Sequence, residues 1–350
     1  MSPDPLDLDG VDATLLDAYQ SGLPVRERPF DRVADELGVT PGEVLDRLRA
    51  HDRSGLVRRV GPVLDPSVIG SSTLAALRVP DAAVGEAAAV VSEYTEVSHN
   101  YRRDHKWNVW FVLTARSRER RDAVLDEIGE RTGHDPLSLP KRTQYCLDLQ
   151  FPVAGDRARE GAATTAGGTE PRIPEAETDR GRTGTDAPLH SAEAAVLDAI
   201  QDGLPPSRTP YADVAADLGL AVSTVLETVS RLLATGHVKR VGVVVNHHAA
   251  GFRDNCMLVW DVPDGELDAV GTDFGNRHYV TKCYHRPRRP DRGWPYNLFT
   301  MIHARDADDL DGWIDEMAAD YPHPHERLET VERFKQTGTR YDVLLPDADE

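Results

Sequence analysis

Residues 280–304, VTKCYHRPRRPDRGWPYNLFTMIHA, set Lys282, Arg286, Arg288, Arg289 and Arg292 within eleven positions against a single acid, Asp291, and Trp294 and Tyr296 follow. A second island, VSHNYRRDHKWNVWF at 97–111, brings together His99, Tyr101, Arg102, Arg103, His105, Lys106 and Trp107. These residue types suit a flat anion. The planar guanidinium fork bonds both oxygens of a carboxylate. Tyrosine and tryptophan offer faces to a conjugated ring. Histidine delivers a proton near neutral pH or ligates iron. On an extended strand, alternation puts His99, Tyr101 and Arg103 on one face, and Lys282, Tyr284 and Arg286 on the equivalent one. The chain as a whole carries a formal charge of -19. Local charge that opposes the global sign is the pattern expected for capturing an anionic ligand. The competing reading pairs these arginines with nearby acids and puts the tryptophans in the core.

The islands occupy equivalent places because the chain is a duplication. LLDAYQSGLP at 15–24 matches VLDAIQDGLP at 196–205, and FDRVADELG at 30–38 matches YADVAADLG at 211–219. GLVRRVG at 55–61 matches GHVKRVG at 236–242, so all three pairs share an offset of 181 residues. NVWFVLTA at 108–115 matches NLFTMIHA at 297–304 at an offset of 189, which places a longer loop before this motif in copy two. Between the copies, residues 153–190 are rich in Gly, Ala, Thr, Pro and charge, and read as a flexible linker. Such a coil spans roughly 30–40 Å, enough for the halves to pack as a pseudo-dimer.

Each copy opens with three short helical patterns and a strand, the outline of a winged helix-turn-helix. Thr40 and Pro41 mark the start of the third helix in copy one, with Glu43 placed to close a capping box. Copy two has Ala221 at the capping position. The remainder reads βαββαβ, a ferredoxin-like order, ending in TQYCLDLQF in copy one and GTRYDVLLP in copy two. The fold class is therefore α+β, a tandem duplication. The expected domains are 11–64 and 191–246 (winged helix-turn-helix) and 70–152 and 250–346 (ferredoxin-like).

Composition sets limits. No apolar run approaches the ~20 residues a membrane helix requires. The acidic start MSPDPLDLDG lacks a basic-then-apolar leader pattern, which with three cysteines lacking C-x-x-C spacing points to a cytoplasmic protein with reduced thiols. The excess of 59 acids over 40 basic residues resembles adaptation to high salt. Charge also argues against DNA binding. Residues 11–61 hold eight arginines and nine acids, and residues 192–242 hold four basic residues and six acids. Affinity for DNA comes largely from neutralising phosphates.

At the islands a specific resemblance emerges. VSHNYRRDHKWNVWF and VTKCYHRP…WPYNLFTMIHA, with GHVKRVGVVVNHHAAGF and ERFKQTGTRYD, resemble the paired signatures of the siroheme decarboxylases, Lrp/AsnC-like proteins of the alternative haem and haem d1 pathways. The resemblance covers nearly all of the chain except the linker, with two subunit types fused in one polypeptide. It implies a carbon–carbon lyase that removes two acetate carboxylates from siroheme to give didecarboxysiroheme, with the iron tetrapyrrole as substrate and no other cofactor required. Carried over residue by residue, it makes His99 the first candidate for proton donor or axial ligand to the substrate iron, with Tyr101 beside it. His105, His285 and His303 are further catalytic candidates. Arg102, Arg103, Lys106, Trp107 and Asn108 are expected to hold substrate in copy one, and Lys282, Tyr284, Arg286, Arg288, Arg289, Trp294, Tyr296 and Asn297 in copy two. The family usually has histidine where this chain has Lys282, a departure that sets the second site apart. The rival reading is an Lrp/AsnC-type regulator sensing a small anion or haem, and a third is a haem carrier without turnover. Further homo-oligomerisation is compatible with the layout.

The charge distribution yields a first test. Purified protein should give no tight, sequence-selective mobility shift with DNA at physiological salt, and such a shift would favour the regulator.

Overall fold

The computed structural model describes residues 8–147, 150–153 and 191–338, arranged in two compact units. The linker expected at 153–190, apart from its first residue, and the strand expected at GTRYDVLLP, apart from its first residue, lie outside the described residues.

One unit gathers the N-terminal helical regions of both copies. Copy one contributes α1 (Gly10–Ala18), α2 (Pro29–Leu37), α3 (Pro41–Arg53) and β1 (Val57–Leu64). Copy two contributes α7 (Ser191–Ile200), α8 (Pro210–Leu218), α9 (Val222–Ala234) and β7 (Val238–Val245). Thr40 Oγ1 accepts from the Glu43 N–H at 3.2 Å, capping α3 as expected. The Glu43 carboxylate turns to Arg47 at 2.9 Å, and Ala221 offers α9 no side-chain cap. The two wing strands pair antiparallel, with Gly61 opposite Gly242. Both glycines are needed for close approach. A Cβ on Gly61 would lie 2.8 Å from the Gly203 backbone, and one on Gly242 would lie 2.6 Å from the Tyr19 carbonyl oxygen. Val243 and Val245 of β7 pack among Leu16, Phe30 and Leu48 of copy one, so the two copies share a core.

The other unit holds two five-stranded antiparallel sheets. The one-turn helix α4 (Pro66–Ile69) leads into copy one's β2 (Ser71–Leu77), α5 (Val84–Glu93), β3 (Val97–Arg103), β4 (Val109–Ala115), α6 (Arg118–Thr132), β5 (Leu137–Pro140) and β6 (Thr143–Leu147). Copy two supplies β8 (Asp254–Trp260), α10 (Leu267–Asn276), β9 (Val280–His285), β10 (Leu298–Ala304), α11 (Ala307–Asp320), β11 (His325–Leu328) and β12 (Thr330–Gln336). The sheet orders are β12-β3-β4-β2-β5 and β11-β8-β10-β9-β6.

This corrects the reading of the last strand. The fourth strand of each βαββαβ unit is the short β5 or β11, and TQYCL forms an additional strand, β6, that leaves its own half. β6 pairs with β9 of copy two, while β12 pairs with β3 of copy one. The physical reason is edge satisfaction. β3 and β9 are edge strands of their own units, and the exchanged strands bond their otherwise unpaired backbone groups.

One face of each sheet carries helices. Phe111, Leu113 and Val109 of β4 meet Val91 of α5 and Ile128 of α6. Leu298 and Ile302 of β10 meet Phe274 of α10 and Met317 of α11. The other faces pack together through Trp110, Leu139, Met257, Val259, Trp294 and Phe299. Among the described residues, no helix is long and apolar enough to cross a membrane.

Strand exchange generates a test. A Cβ on Gly271 of α10 would sit 2.4 Å from the ring of Tyr145 on β6, whereas one on Gly312 meets nothing within 4 Å. Gly271→Ala should destabilise the protein by about 1–3 kcal/mol, and Gly312→Ala should be neutral or stabilising by about 0.5–1 kcal/mol. Denaturant titration compares them, and equal midpoints would refute the tight seating of β6.

Candidate active site

Register fixes which residues share a face. Tyr101 is the partner of Trp110, and Tyr284 of Phe299, so both tyrosines lie on the inner faces, where the sheets meet. His99 and Arg103 flank Tyr101 on that face, and Lys282 and Arg286 flank Tyr284, as strand alternation predicts.

At the copy-one platform, His99 Nδ1 lies 2.9 Å from Ser98 Oγ, and the imidazole and Tyr101 rings are 6.0 Å apart. The Arg103 guanidinium stands 5.7 Å from the Tyr101 ring centroid, and its Nη1 donates to the Leu328 carbonyl of the facing sheet. Copy two mirrors this. Arg286 lies 5.3 Å from the Tyr284 ring and donates to the Leu139 carbonyl. Neither arginine has a carboxylate within ion-pair distance among the described residues, and the Nε of each is buried without a hydrogen-bond partner. Burial pulls both guanidinium pKa values down to about 10, so both remain cations at neutral pH. A desolvated cation without a counter-charge costs several kcal/mol on the usual scale, and an arriving anion offsets that cost.

Several expected site residues take other roles. Trp107 and Trp294 are 4 % and 0 % exposed and belong, with Tyr296, to the apolar layer between the sheets. Asn108 and Asn297 are matched backbone clamps. Asn108 bonds the N–H and C=O of Val79, at 3.0 and 2.7 Å, and Asn297 bonds those of Val262, at 3.0 and 2.9 Å. Arg288 is held by Asp261 and Asp264, and Arg289 by Asp291 at 3.0 Å, as the competing reading anticipated. Arg102 makes an exposed ion pair with Asp81 at 3.1 Å, and Lys106 is exposed. Arg292 crosses to copy one, where it covers the Trp107 ring at 5.7 Å and donates to the Asp135 carbonyl; with Arg78 and His134 it lines an open cleft of about 450 Å³.

The histidines divide. His105 Nδ1 accepts from the Trp107 N–H at 3.0 Å and its Nε2 lies 3.1 Å from Glu326 of β11, so both nitrogens are engaged away from the platform. Tyr296 also bonds Glu326, completing a bridge between the copies. His285 pairs with Leu298, whose side chain faces the helices, so it lies across the sheet from Tyr284. Burial, with Arg142 nearby, depresses its pKa. His303 stands two residues along β10 from Met301, the register partner of Lys282, with its Nδ1 2.9 Å from Thr281 Oγ1. His99 and His303 thus remain with the platforms, while His105 and His285 do not. Glu326 and the exchanged strands escaped sequence reasoning, because pairing between distant segments leaves no local pattern.

Two copies of a winged helix-turn-helix and a ferredoxin-like layer, with paired basic platforms on the inner sheet faces, define a ligand-binding class, and comparison with known proteins agrees. Residues 69–145 and 249–335 match the AsnC-like ligand binding domain, and residues 12–58 and 193–238 match the siroheme decarboxylase NirDL-like HTH domain. The siroheme decarboxylase NirDL subunit of Paracoccus pantotrophus is 34 % identical over 335 residues, covering 95 % of this chain and 97 % of the relative. The NirD subunit of Pseudomonas aeruginosa is 47 % identical over 150 residues, covering 43 % of this chain and all of the relative. The crystal structure of a siroheme decarboxylase NirDL in complex with an iron-uroporphyrin III analogue shares the fold, with a TM-score of 0.70 and 22 % identity over 95 % of each chain. The chain belongs to the siroheme decarboxylase family.

Burial holds the His105 pKa below the ordinary imidazole value. As pH falls below about 6.5, the unfolded chain takes up a proton that folded His105 resists, so stability declines on acidification. His105→Gln should lessen that decline between about pH 7.5 and 5.5 in chemical denaturation. An unchanged pH slope would remove His105 from the proton balance.

Proposed function

We propose that the protein is a siroheme decarboxylase, removing two acetate carboxylates without oxidation to give didecarboxysiroheme. The observation that carries this reading is the repeated platform. A tyrosine stands beside a desolvated arginine that lacks an acidic partner, at equivalent places on both sheets. A flat substrate rich in carboxylates supplies the missing counter-charge.

In each turnover the bond between an acetate methylene and its carboxylate breaks and CO2 leaves. The electron pair passes into the macrocycle of the substrate, and a proton on the methylene carbon completes a methyl group. The reading requires no resident cofactor. The chain's part is to fix the acetate, hold the remaining carboxylates and place an acid. His99 is the proposed donor in copy one, or the axial ligand to the substrate iron. Lys282 is the proposed carboxylate anchor in copy two, with His303 the histidine nearest in register. A cytoplasmic location fits this role.

Against the regulator reading stands the third helix. Arg47 of α3 is drawn to Asp9, Asp12 and Glu43 at 2.8–3.0 Å, and His51 lies 3.0 Å from Asp12. Arg47 and His51 are thus engaged within the helical unit instead of being presented to phosphates.

Anaerobic incubation with siroheme, followed by mass spectrometry, should show products lighter by two acetate carboxylates. A lysine is a poor proton donor to carbon at neutral pH. His99→Ala should therefore abolish or greatly slow at least one decarboxylation while siroheme still binds, and Lys282→Ala should chiefly weaken binding. Full didecarboxylation by His99→Ala at the parent rate would move the donor elsewhere, with His303 next in line.

A further inference from the structure

Each platform is finished by a strand encoded in the opposite half. β12 of copy two lies along β3, with Arg333 the register partner of Tyr101 and Gln336 that of His99. β6 of copy one lies along β9, with Gln144 the partner of Tyr284 and Leu147 that of Lys282. Directly paired residues on antiparallel strands project from the same face with Cβ atoms roughly 4.5–5.5 Å apart. Arg333 therefore joins Tyr101 on the inner face. The neighbouring Lys335 goes the other way, its Nζ donating to the Ser92 and Tyr94 carbonyls at the end of α5. Arg333 is exposed, and Val331 on the same strand is 57 % exposed, so this stretch of the platform stays open where the Trp110–Trp294 layer has ended. On the second sheet, Lys141 just before β6 donates to Gln144 Oε1 at 3.0 Å and stands 5.8 Å from the Tyr284 ring centroid.

We infer that the exchanged strands hand each site a carboxylate-holding cation in trans: Arg333 serves the His99 platform, and Lys141 serves the Lys282 platform. The inference rests on the siroheme reading for its ligand and adds which residues outside the two islands grip it. The two cations differ in kind. At the first platform a guanidinium fork, with the Gln336 amide on the same strand, suits bidentate capture of one carboxylate in a fixed orientation. At the second, the ammonium of Lys141 acts as a point charge over Tyr284, with Leu147 in place of the glutamine opposite Lys282. The first platform is thus built to orient a carboxylate and the second chiefly to attract one, so the two sites should take different acetates of the substrate.

The test uses the full chain. Siroheme affinity is measured by spectral titration for the parent, Arg333→Ala, Arg333→Lys, Lys141→Ala and the exposed-surface control Arg118→Ala, with thermal midpoints to confirm folding. Arg333→Ala and Lys141→Ala should each weaken binding by roughly tenfold or more, Arg333→Lys should recover part of the loss, and Arg118→Ala should bind as the parent does. In turnover, Arg333→Ala should raise KM for the same decarboxylation that His99→Ala loses, and Lys141→Ala for the other. Parent-like affinity in Arg333→Ala and Lys141→Ala overturns the inference, as does a reversed assignment of the two steps. A parent that binds siroheme without releasing CO2 sinks the decarboxylase reading, while the affinity comparison still decides the inference.

Discussion

The packing of Trp294 against Trp110, with ring centroids 5.3 Å apart, governs where a ligand can enter. Around it gather Tyr296, His105 and Phe299 at 5.0–5.9 Å, and together they seal the middle of the inner faces. Aromatic groups of this size dominate the burial energy of such a layer. Because the layer fills much of the central strands, the polar side chains left half-exposed on the same faces include those where β3 meets β12, and β9 meets β6. The same contact converts the aromatic ends of both islands from ligand faces into core. It also brings Glu326 to His105, so the two halves are bridged by a polar contact as well as an apolar one.

Charge follows from that geometry. The acid-rich sequence neutralises three of the six island arginines locally, Arg102 at Asp81, Arg288 at Asp261 and Asp264, and Arg289 at Asp291. Exposed pairs of this kind contribute little to stability, and they also leave little attraction for a ligand. Arg103 and Arg286 escape because they turn inward, each meeting a backbone carbonyl of the opposite sheet. A carbonyl dipole satisfies one N–H but not the charge. The two arginines thus brace the sheets and keep positive potential beside the tyrosines, a combination that a solvated surface lysine cannot supply.

Much of this was legible in the sequence. The constant repeat offset exposed the duplication, and strand alternation placed His99, Tyr101 and Arg103 together. Gly61 and Gly242 stood out only as repeat matches, and their cause is backbone crowding by distant segments. The last strand was misread because β5 is a four-residue LSLP with little pattern, while TQYCL has the stronger β character and looked like the closing strand. Whether a strand closes its own sheet or another's is decided by which edge is unpaired, and local sequence carries no trace of that. The roles of Trp107, Asn108 and His105 were hidden for the same reason. Their partners Arg292, Val79 and Glu326 lie well away along the chain.

Fusion of the halves gives the strand exchange a further consequence. In a symmetric dimer of one chain, every substitution appears at both sites. Here the two platforms sit on separate stretches of one polypeptide and have diverged position by position. His99 stands against Lys282, Arg333 lies opposite Tyr101 where Gln144 lies opposite Tyr284, and Gln336 corresponds to Leu147. The shared scaffold constrains that divergence. Asn108 and Asn297 keep identical clamps, and Arg103 and Arg286 keep identical braces, because loss of either would open the layer that both platforms share. The positions free to change are those that touch neither the clamp nor the layer, and they are the ones that face the open stretch. Two platforms on one polypeptide can therefore be tuned separately while the fold between them stays fixed.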